Sequence, residues 1–212
     1  MNWIVRPPAF YRLLLRGGIF RMPGRTMEGD KVVYLTFDDG PVPGVTPWVL
    51  DVLDIYGIKA TFFMVADNAR RWPELLEDVR RRGHMIGNHT FHHLQGGKVA
   101  RFRYLRDILE ADRLLHTPLF RPPHGWLRPG QARALRSRFR IIMHDLVSCD
   151  FDRRLTPGQV IGNVLRYVRP GSIIVFHDSQ KAWPRLELSL EATIEKLLER
   201  GFVFQTFDSE NG

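Results

Sequence analysis

This 212-residue chain carries a single cysteine, Cys149, so it can form neither an internal disulfide nor a cysteine-based zinc knuckle. The residue reads as a small buried hydrophobe. Such sparing use of cysteine is compatible with a reducing compartment. Long apolar runs are missing as well. No stretch approaches the ~20 residues of a membrane span. The opening segment, MNWIVRPPAFYRLLLRGGIFR, is interrupted by Arg6, Pro7, Pro8, Arg12 and Arg16, which a cleavable secretory signal would not tolerate. Without either signal, the cytoplasm is the default compartment. Trp3, Phe10, Tyr11 and Phe20 alternate with those arginines, a mixture that leaves peripheral association with a membrane or envelope open. The favoured reading is an arm over residues 1–29 packed on a domain of residues 30–212. Internal repeats and low-complexity tracts are absent.

Acidic residues are the minority charge, 23 against 31 lysines and arginines, for a net charge of +8. A basic balance concentrates anionic partners near the surface without choosing among them. The arginines are scattered, with only short runs such as Arg80-Arg81-Arg82, and no nucleic-acid-binding motif is present. A solvated basic surface is expected, with no nucleic acid partner. Oligomeric state leaves no trace in the sequence.

What is present is enough apolar material for one core: 44% of residues are hydrophobic and 25% are charged and interspersed. Apolar, β-branched segments predict strands at Lys31–Phe37, Ala60–Val65, Met85–Asn88, Leu119–Phe120, Phe139–Val147, Ser172–Phe176 and Phe202–Phe207. Between them, apolar residues at helical spacing predict helices near Thr46–Tyr56, Pro73–Arg82, Val99–His116, Pro129–Arg138, Pro157–Val168 and Leu186–Arg200. Alternation of this kind implies about seven parallel strands joined by right-handed crossovers. A distorted α/β barrel with outer helices is the expected architecture, and a doubly wound open sheet is the alternative.

The polar residues fall at strand ends. Asp38 and Asp39 follow the first predicted strand, His89 and His93 the third, Arg121 the fourth, Asp150 the fifth, and His177-Asp178 the sixth. In a (β/α) barrel those ends form one face, where chemistry is built. His89 and His93 stand four apart, a spacing that brings two imidazoles to one cation if the backbone turns helically. Asp39 would add an oxygen. Two neutral nitrogens, one carboxylate and an open position make a catalytic zinc pattern.

Five motifs in order resemble the polysaccharide deacetylase family, also called the NodB-homology or carbohydrate esterase 4 family. They are Thr36-Phe37-Asp38-Asp39-Gly40-Pro41; His89-Thr90-Phe91-His92-His93; Arg121-Pro122-Pro123-His124-Gly125; Ser148-Cys149-Asp150-Phe151; and Ile174-Val175-Phe176-His177-Asp178. The resemblance spans about residues 30 to 207. It implies that Asp39, His89 and His93 hold one divalent cation, zinc first, with Co2+, Mn2+ or Ni2+ accepted by the same ligands. It further implies Asp38 as general base, paired with Arg121, and the backbone N–H of His124 as oxyanion donor. His177 would be the general acid, held and raised in pKa by Asp150. The substrate implied is an acetylated carbohydrate such as a chitooligosaccharide or peptidoglycan, with acetate released. Alternatives are a deacylase acting on another small or lipid-linked amide or on an O-acetyl ester, or a catalytically silent glycan-binding relative. His124, Phe151, Leu94 and Val175 stand where the family commonly has Tyr, Trp, Pro and Leu. These changes touch the substrate groove more than the metal ligands. His84, His92, His116 and His144 match no ligand position. Trp126 and Trp183 are expected either to stack on sugar rings or to pack as lids.

Overall fold

The computed structural model describes residues 5–15 and 17–207. Trp3 and Arg16 of the expected arm, and residues 208–212, lie outside that set. The chain opens with α1 (Ala9–Leu14) and β1 (Gly18–Ile19), then β2 (Lys31–Asp38), α2 (Val45–Ile55), β3 (Thr61–Met64), α3 (Ala66–Arg71), α4 (Pro73–Arg81) and β4 (Met85–Asn88). It continues through α5 (Arg101–Leu115), β5 (Leu119–Phe120), a 3-10 turn (Pro123–Gly125), α6 (Pro129–Leu135), β6 (Arg140–Ile142) and β7 (Leu146–Val147). The last elements are α7 (Pro157–Tyr167), β8 (Ile173–His177), α8 (Trp183–Leu186), α9 (Leu190–Glu199) and β9 (Phe202–Phe204).

The named strands pair in parallel in the order β1-β6-β5-β4-β3-β2-β8-β7, and β9 pairs with the first residues of β2. The curled parallel sheet with outer helices is the expected barrel architecture. The strand count is nine among the described residues rather than seven, for two reasons. β1 was not foreseen, and the single strand expected over Phe139–Val147 is two.

β2 shows how the fold positions the site. Every residue of it after Lys31 is buried, as expected of a strand covered on both faces. Side chains alternate along a strand, so Val33, Leu35 and Phe37 join the main core cluster with α2, α4, α7 and α9. Val32 and Tyr34 instead meet Phe63, Leu119, Ile142 and Ile173 in an inner cluster. The same inner row continues through Thr36 to Asp38, changing from apolar to polar at the C-terminal end of the strand. In β8, Ile174 and Phe176 join the outer core while Ile173 packs inside, so Val175 and His177 fall on the inner row.

β6 and β7 sit far apart on the strand path, although only residues 143–145 separate them in sequence. That short link crosses the seam where the sheet nearly closes. The N-terminal arm fills it from both sides. Met143 N–H donates to Ile19 O at 2.8 Å, and Val147 N–H donates to Val5 O at 2.9 Å. Asp145, within the link, is fully buried and receives Arg12 at 2.8 Å, Arg169 at 2.6 Å and Ser172 Oγ at 2.8 Å. Burial alone would raise its carboxyl, but the bonds from Arg169, Arg12 and Ser172 override that and hold it well below the usual carboxylate range. Tyr11, Leu15 and Phe20 of the arm are buried with Phe120, Leu127 and Ile141. Among the described residues no helix is long and apolar enough to cross a membrane.

We expect Asp145→Ala to lower the unfolding free energy by about 3 kcal/mol, the low end for breaking a buried ion pair because its arginines keep a solvated edge. Urea denaturation measures it. Because the folded carboxyl titrates below its unfolded value, the contribution should be present above roughly pH 4 and fade as the pH falls further.

Candidate active site

The C-terminal ends of the strands open on a cleft of about 350 Å³. Asp38, Asp39, His89, His93, Arg121, His124 and His177 all line it. Asp150 lies directly behind His177. All eight residues singled out from the sequence therefore converge at one place.

Asp39, His89 and His93 each present one donor atom, and these atoms lie within 4.8 Å of one another. Asp39 Oδ1 is 3.7 Å from His89 Nε2 and 3.1 Å from His93 Nε2. His89 is held by a 2.8 Å bond between Nδ1 and the carbonyl of Arg121, which assigns the proton to Nδ1 and leaves the Nε2 lone pair facing the cluster. Burial pushes the His89 imidazole down to about 4, so it is neutral. Burial would raise the Asp39 carboxyl, yet the His93 bond and the neighbouring imidazoles hold it well below the usual range. Two imidazoles, at least one of them neutral, and one ionised carboxylate fit a divalent cation.

The segment from His89 to His93 is not a helical turn. Thr90 and His93 adopt left-handed φ values of 66° and 54°. Asn88 Oδ1 accepts Thr90 N–H at 2.8 Å, and Asp107 of α5 accepts the N–H groups of Phe91 and His92 at 2.9 and 3.1 Å. These side chains replace the hydrogen bonds a helix would have supplied. His92 bonds Asp107 and is 55% exposed, which takes it away from the donor cluster.

On the inner row of β2, Asp38 Oδ1 receives Arg121 Nη1 at 2.6 Å. The same nitrogen reaches Thr36 Oγ1 at 2.7 Å, and Nη2 reaches Met143 O at 3.1 Å. Asp38 Oδ2 lies 4.0 Å from His89 Nε2, so the carboxylate borders the donor cluster. Opposite, His177 Nδ1 meets Asp150 Oδ1 at 2.7 Å, and Asp150 Oδ2 accepts the His177 N–H at 2.8 Å. Burial alone would lower the His177 imidazole, but the charge and hydrogen bond of Asp150, with Asp39 and Asp38 beyond, raise it to about 9. The N–H of His124 donates to no acceptor among the described residues.

Several contributors were given no role from the sequence. Asp178 accepts Gly40 N–H at 3.1 Å and Thr46 Oγ1 at 2.7 Å, pinning the turn that carries Asp39. A Cβ on Gly40 would lie 2.0 Å from Asp178 Oδ2, so only glycine fits there. Burial, despite the Thr46 bond, and the charge of Asp39 push Asp178 up to about 8. Asn68 Nδ2 donates to Asp39 O at 2.9 Å. The adjacency of Asp178 to His177 was the available signal; Asn68 and Asp107 sit inside helices and offer none. His144 lines the cleft, and burial lowers it to about 4. Phe151 and Val175 also line the cleft. Trp183 packs edge-on to Trp48, and Trp126 stacks on Tyr11.

We expect Asp39→Ala, His89→Ala and His93→Ala each to abolish stoichiometric zinc binding in equilibrium dialysis. Asp107→Ala should weaken it by about 10–100-fold, the range for losing an outer-shell support. Full retention of zinc in all three ligand variants would rule the cluster out as the binding site.

A family model described as polysaccharide deacetylase matches residues 25–139. A peptidoglycan-N-acetylglucosamine deacetylase of Bacillus cereus is 32% identical over 189 residues, covering 84% of this chain and 87% of the relative. A chitooligosaccharide deacetylase of Sinorhizobium fredii is 35% identical over 164 residues, covering 73% of this chain and 75% of the relative. Among solved structures, a peptidoglycan N-acetylglucosamine deacetylase superposes with a TM-score of 0.81 at 28% identity, covering 98% of this chain and 96% of that one. With the strand order, the convergent strand-end residues and these likenesses in agreement, the chain belongs to the polysaccharide deacetylase family.

Proposed function

We propose that this protein hydrolyses the N-acetyl group of an amino-sugar-containing glycan, such as a chitooligosaccharide or peptidoglycan, releasing acetate and a free amine. The observation that carries this reading is the arrangement around the donor cluster: an arginine-held carboxylate on one side and a carboxylate-held histidine on the other. Residues 30–212 would form the catalytic unit, with residues 1–29 as an arm packed on it.

Asp39, His89 and His93 would hold one divalent cation, zinc in the first instance, which when bound supplies Lewis acidity to the acetyl carbonyl and to water. Asp38 takes the proton of the attacking water as the new C–O bond forms. Arg121 holds Oδ1 of Asp38 at 2.6 Å and so fixes the direction in which Oδ2 faces the cleft. The uncommitted His124 N–H donates to the carbonyl oxygen as it gains charge. Pro122 and Pro123 have no N–H, so His124 offers the first backbone donor after Arg121. His177 then delivers a proton to the departing nitrogen as the C–N bond breaks. Asp150 keeps that imidazole protonated and oriented until it is needed. Val175 and Phe151 provide an apolar wall beside the acetyl group.

Acetate release from chitooligosaccharides and peptidoglycan fragments tests the reading. Chelation should abolish it and added zinc restore it. Asp38→Asn should lower kcat by about 100-fold or more, the scale of lost general-base catalysis. A variant that keeps its rate would exclude Asp38 as the base.

The pH profile follows from His177. Its raised value predicts activity that persists through neutrality and falls as the pH rises through about 9. Asp150→Asn should bring that fall at least one pH unit lower. The same group contributes folding stability that is complete below about pH 6.5, its ordinary value, and is lost as the pH rises through about 9.

A further inference from the structure

The turn carrying His124 is held from outside the catalytic residues. His124 has φ 60° and ψ 14°, and Gly125 follows at φ 63°. Two successive left-handed residues, the first of them not glycine, are a conformation the chain does not keep unaided. Gly125 N–H donates to Pro122 O at 3.1 Å, closing one side. On the other side the acceptor of Gly125 is engaged by the N-terminal arm: the Tyr11 hydroxyl donates to Gly125 O. The Tyr11 ring also stacks on Trp126, with centroids 5.4 Å apart and planes 12° from parallel, and it meets Phe20 edge-on.

Tyr11 is only 7% exposed. Burial, partly opposed by a bond from the Leu127 backbone, pushes its phenol up to about 12, so the hydroxyl remains a donor across the working range. The arm reaches the cleft wall at two further points. Val5 O accepts from Val147, and Arg12 binds Asp145, the neighbour of His144. Gly125, His144 and Val147 all line the cleft, and none belongs to the metal-ligating set. The arm residues 5–15 also precede the segment matched by the family model.

We infer that the N-terminal arm is part of the active-site wall and that Tyr11 is a positioning residue, setting the His124 N–H through its bond to Gly125 O. The inference rests on the proposed role of His124 as oxyanion donor. Tyr11 touches no reacting atom. It locks the peptide group after Gly125, while Pro123 and the Gly125–Pro122 bond restrict the groups before it, so the His124 N–H has one direction left.

Tyr11→Phe tests it on the full-length protein loaded with zinc, because the ring packing survives and only the hydroxyl is lost. We expect a melting temperature close to wild type, unchanged zinc stoichiometry and unchanged KM. The kcat for acetate release should fall about 10-fold, less than the ~100-fold cost of losing an oxyanion donor outright. Hydrogen exchange by mass spectrometry over residues 121–127 should quicken several-fold in the variant, whatever the substrate. Tyr11→Leu should lose stability as well, separating the role of the ring from that of the hydroxyl. Exchange over 121–127 that matches wild type overturns the clamp. So does a kcat within twofold of an active wild type. A wild type that releases no acetate would instead refute the proposed function, and the exchange measurement would still decide the clamp.

Discussion

The guanidinium of Arg121 holds the inside of the barrel together. It is fully buried, with its carbon 3.9 Å from the centroid of the Phe63 ring, and its nitrogens are shared among Thr36, Asp38, Ile142 O and Met143 O. One side chain from the end of β5 therefore touches β2, β3, β6 and the link beyond β6. A buried cation of this kind is tolerable only when its donors are satisfied and a carboxylate is at hand. Asp38 meets that need, and its own orientation is fixed in return. Structural necessity and the placement of the proposed base are thus the same contact. A neutral replacement at either position would strand the other partner in a region with little access to water.

Around that contact the backbone departs from comfortable conformations in a localised way. Among the described residues, six other than glycine have positive φ, and five of them, Asp39, Thr90, His93, His124 and Cys149, border or line the cleft. The sixth, His116, caps α5. Each such residue costs on the order of 1 kcal/mol or more. The surroundings supply specific compensation. Asn88 and Asp107 hold the histidine loop, Asp178 and Asn68 hold the aspartate turn, and Tyr11 holds the His124 turn. Three turns meet at the cleft because several side chains outside its lining keep them in place.

Much of this was legible in the sequence, and the boundary of legibility has physical causes. KVVYLTF and SIIVF read directly as buried parallel strands because burial on both faces requires unbroken apolar runs. The barrel followed from the alternation of strands and helices, and the convergence of Asp38, Asp39, His89, His93, Arg121 and His177 from residues falling at strand ends. Four kinds of feature escaped. β1 is two residues long and pairs with β6, so no local pattern marks it. The break between β6 and β7 arises at Asp145, whose partners Arg12 and Arg169 lie on either side of it in sequence, 133 and 24 residues away. The loop from His89 to His93 took a shape different from the helical turn suggested by spacing, because its N–H groups found side-chain acceptors. Asp107 was invisible because nothing in a helical pattern distinguishes a polar residue facing solvent from one facing a loop, and Asn68 lies in α3, a short helix that the sequence reading did not include.

The seam also bears on how the molecule is made. Most neighbours in the sheet come from nearby segments, so strands can add to one another as the chain emerges. β1 has to wait for β6, and the arm's bond at Val5 has to wait for β7. The arm therefore docks only after β6 and β7 are in place, and β2 waits longer still, for β8 and β9. Until the arm docks, Tyr11, Leu15 and Phe20 are exposed, and the gap they will occupy stands open, so the nascent chain passes through a stage with matched greasy surfaces available to other molecules. A chain rearranged to begin after the seam, with the arm appended behind α9, would meet its closing partners in a different order and would report how much that waiting matters.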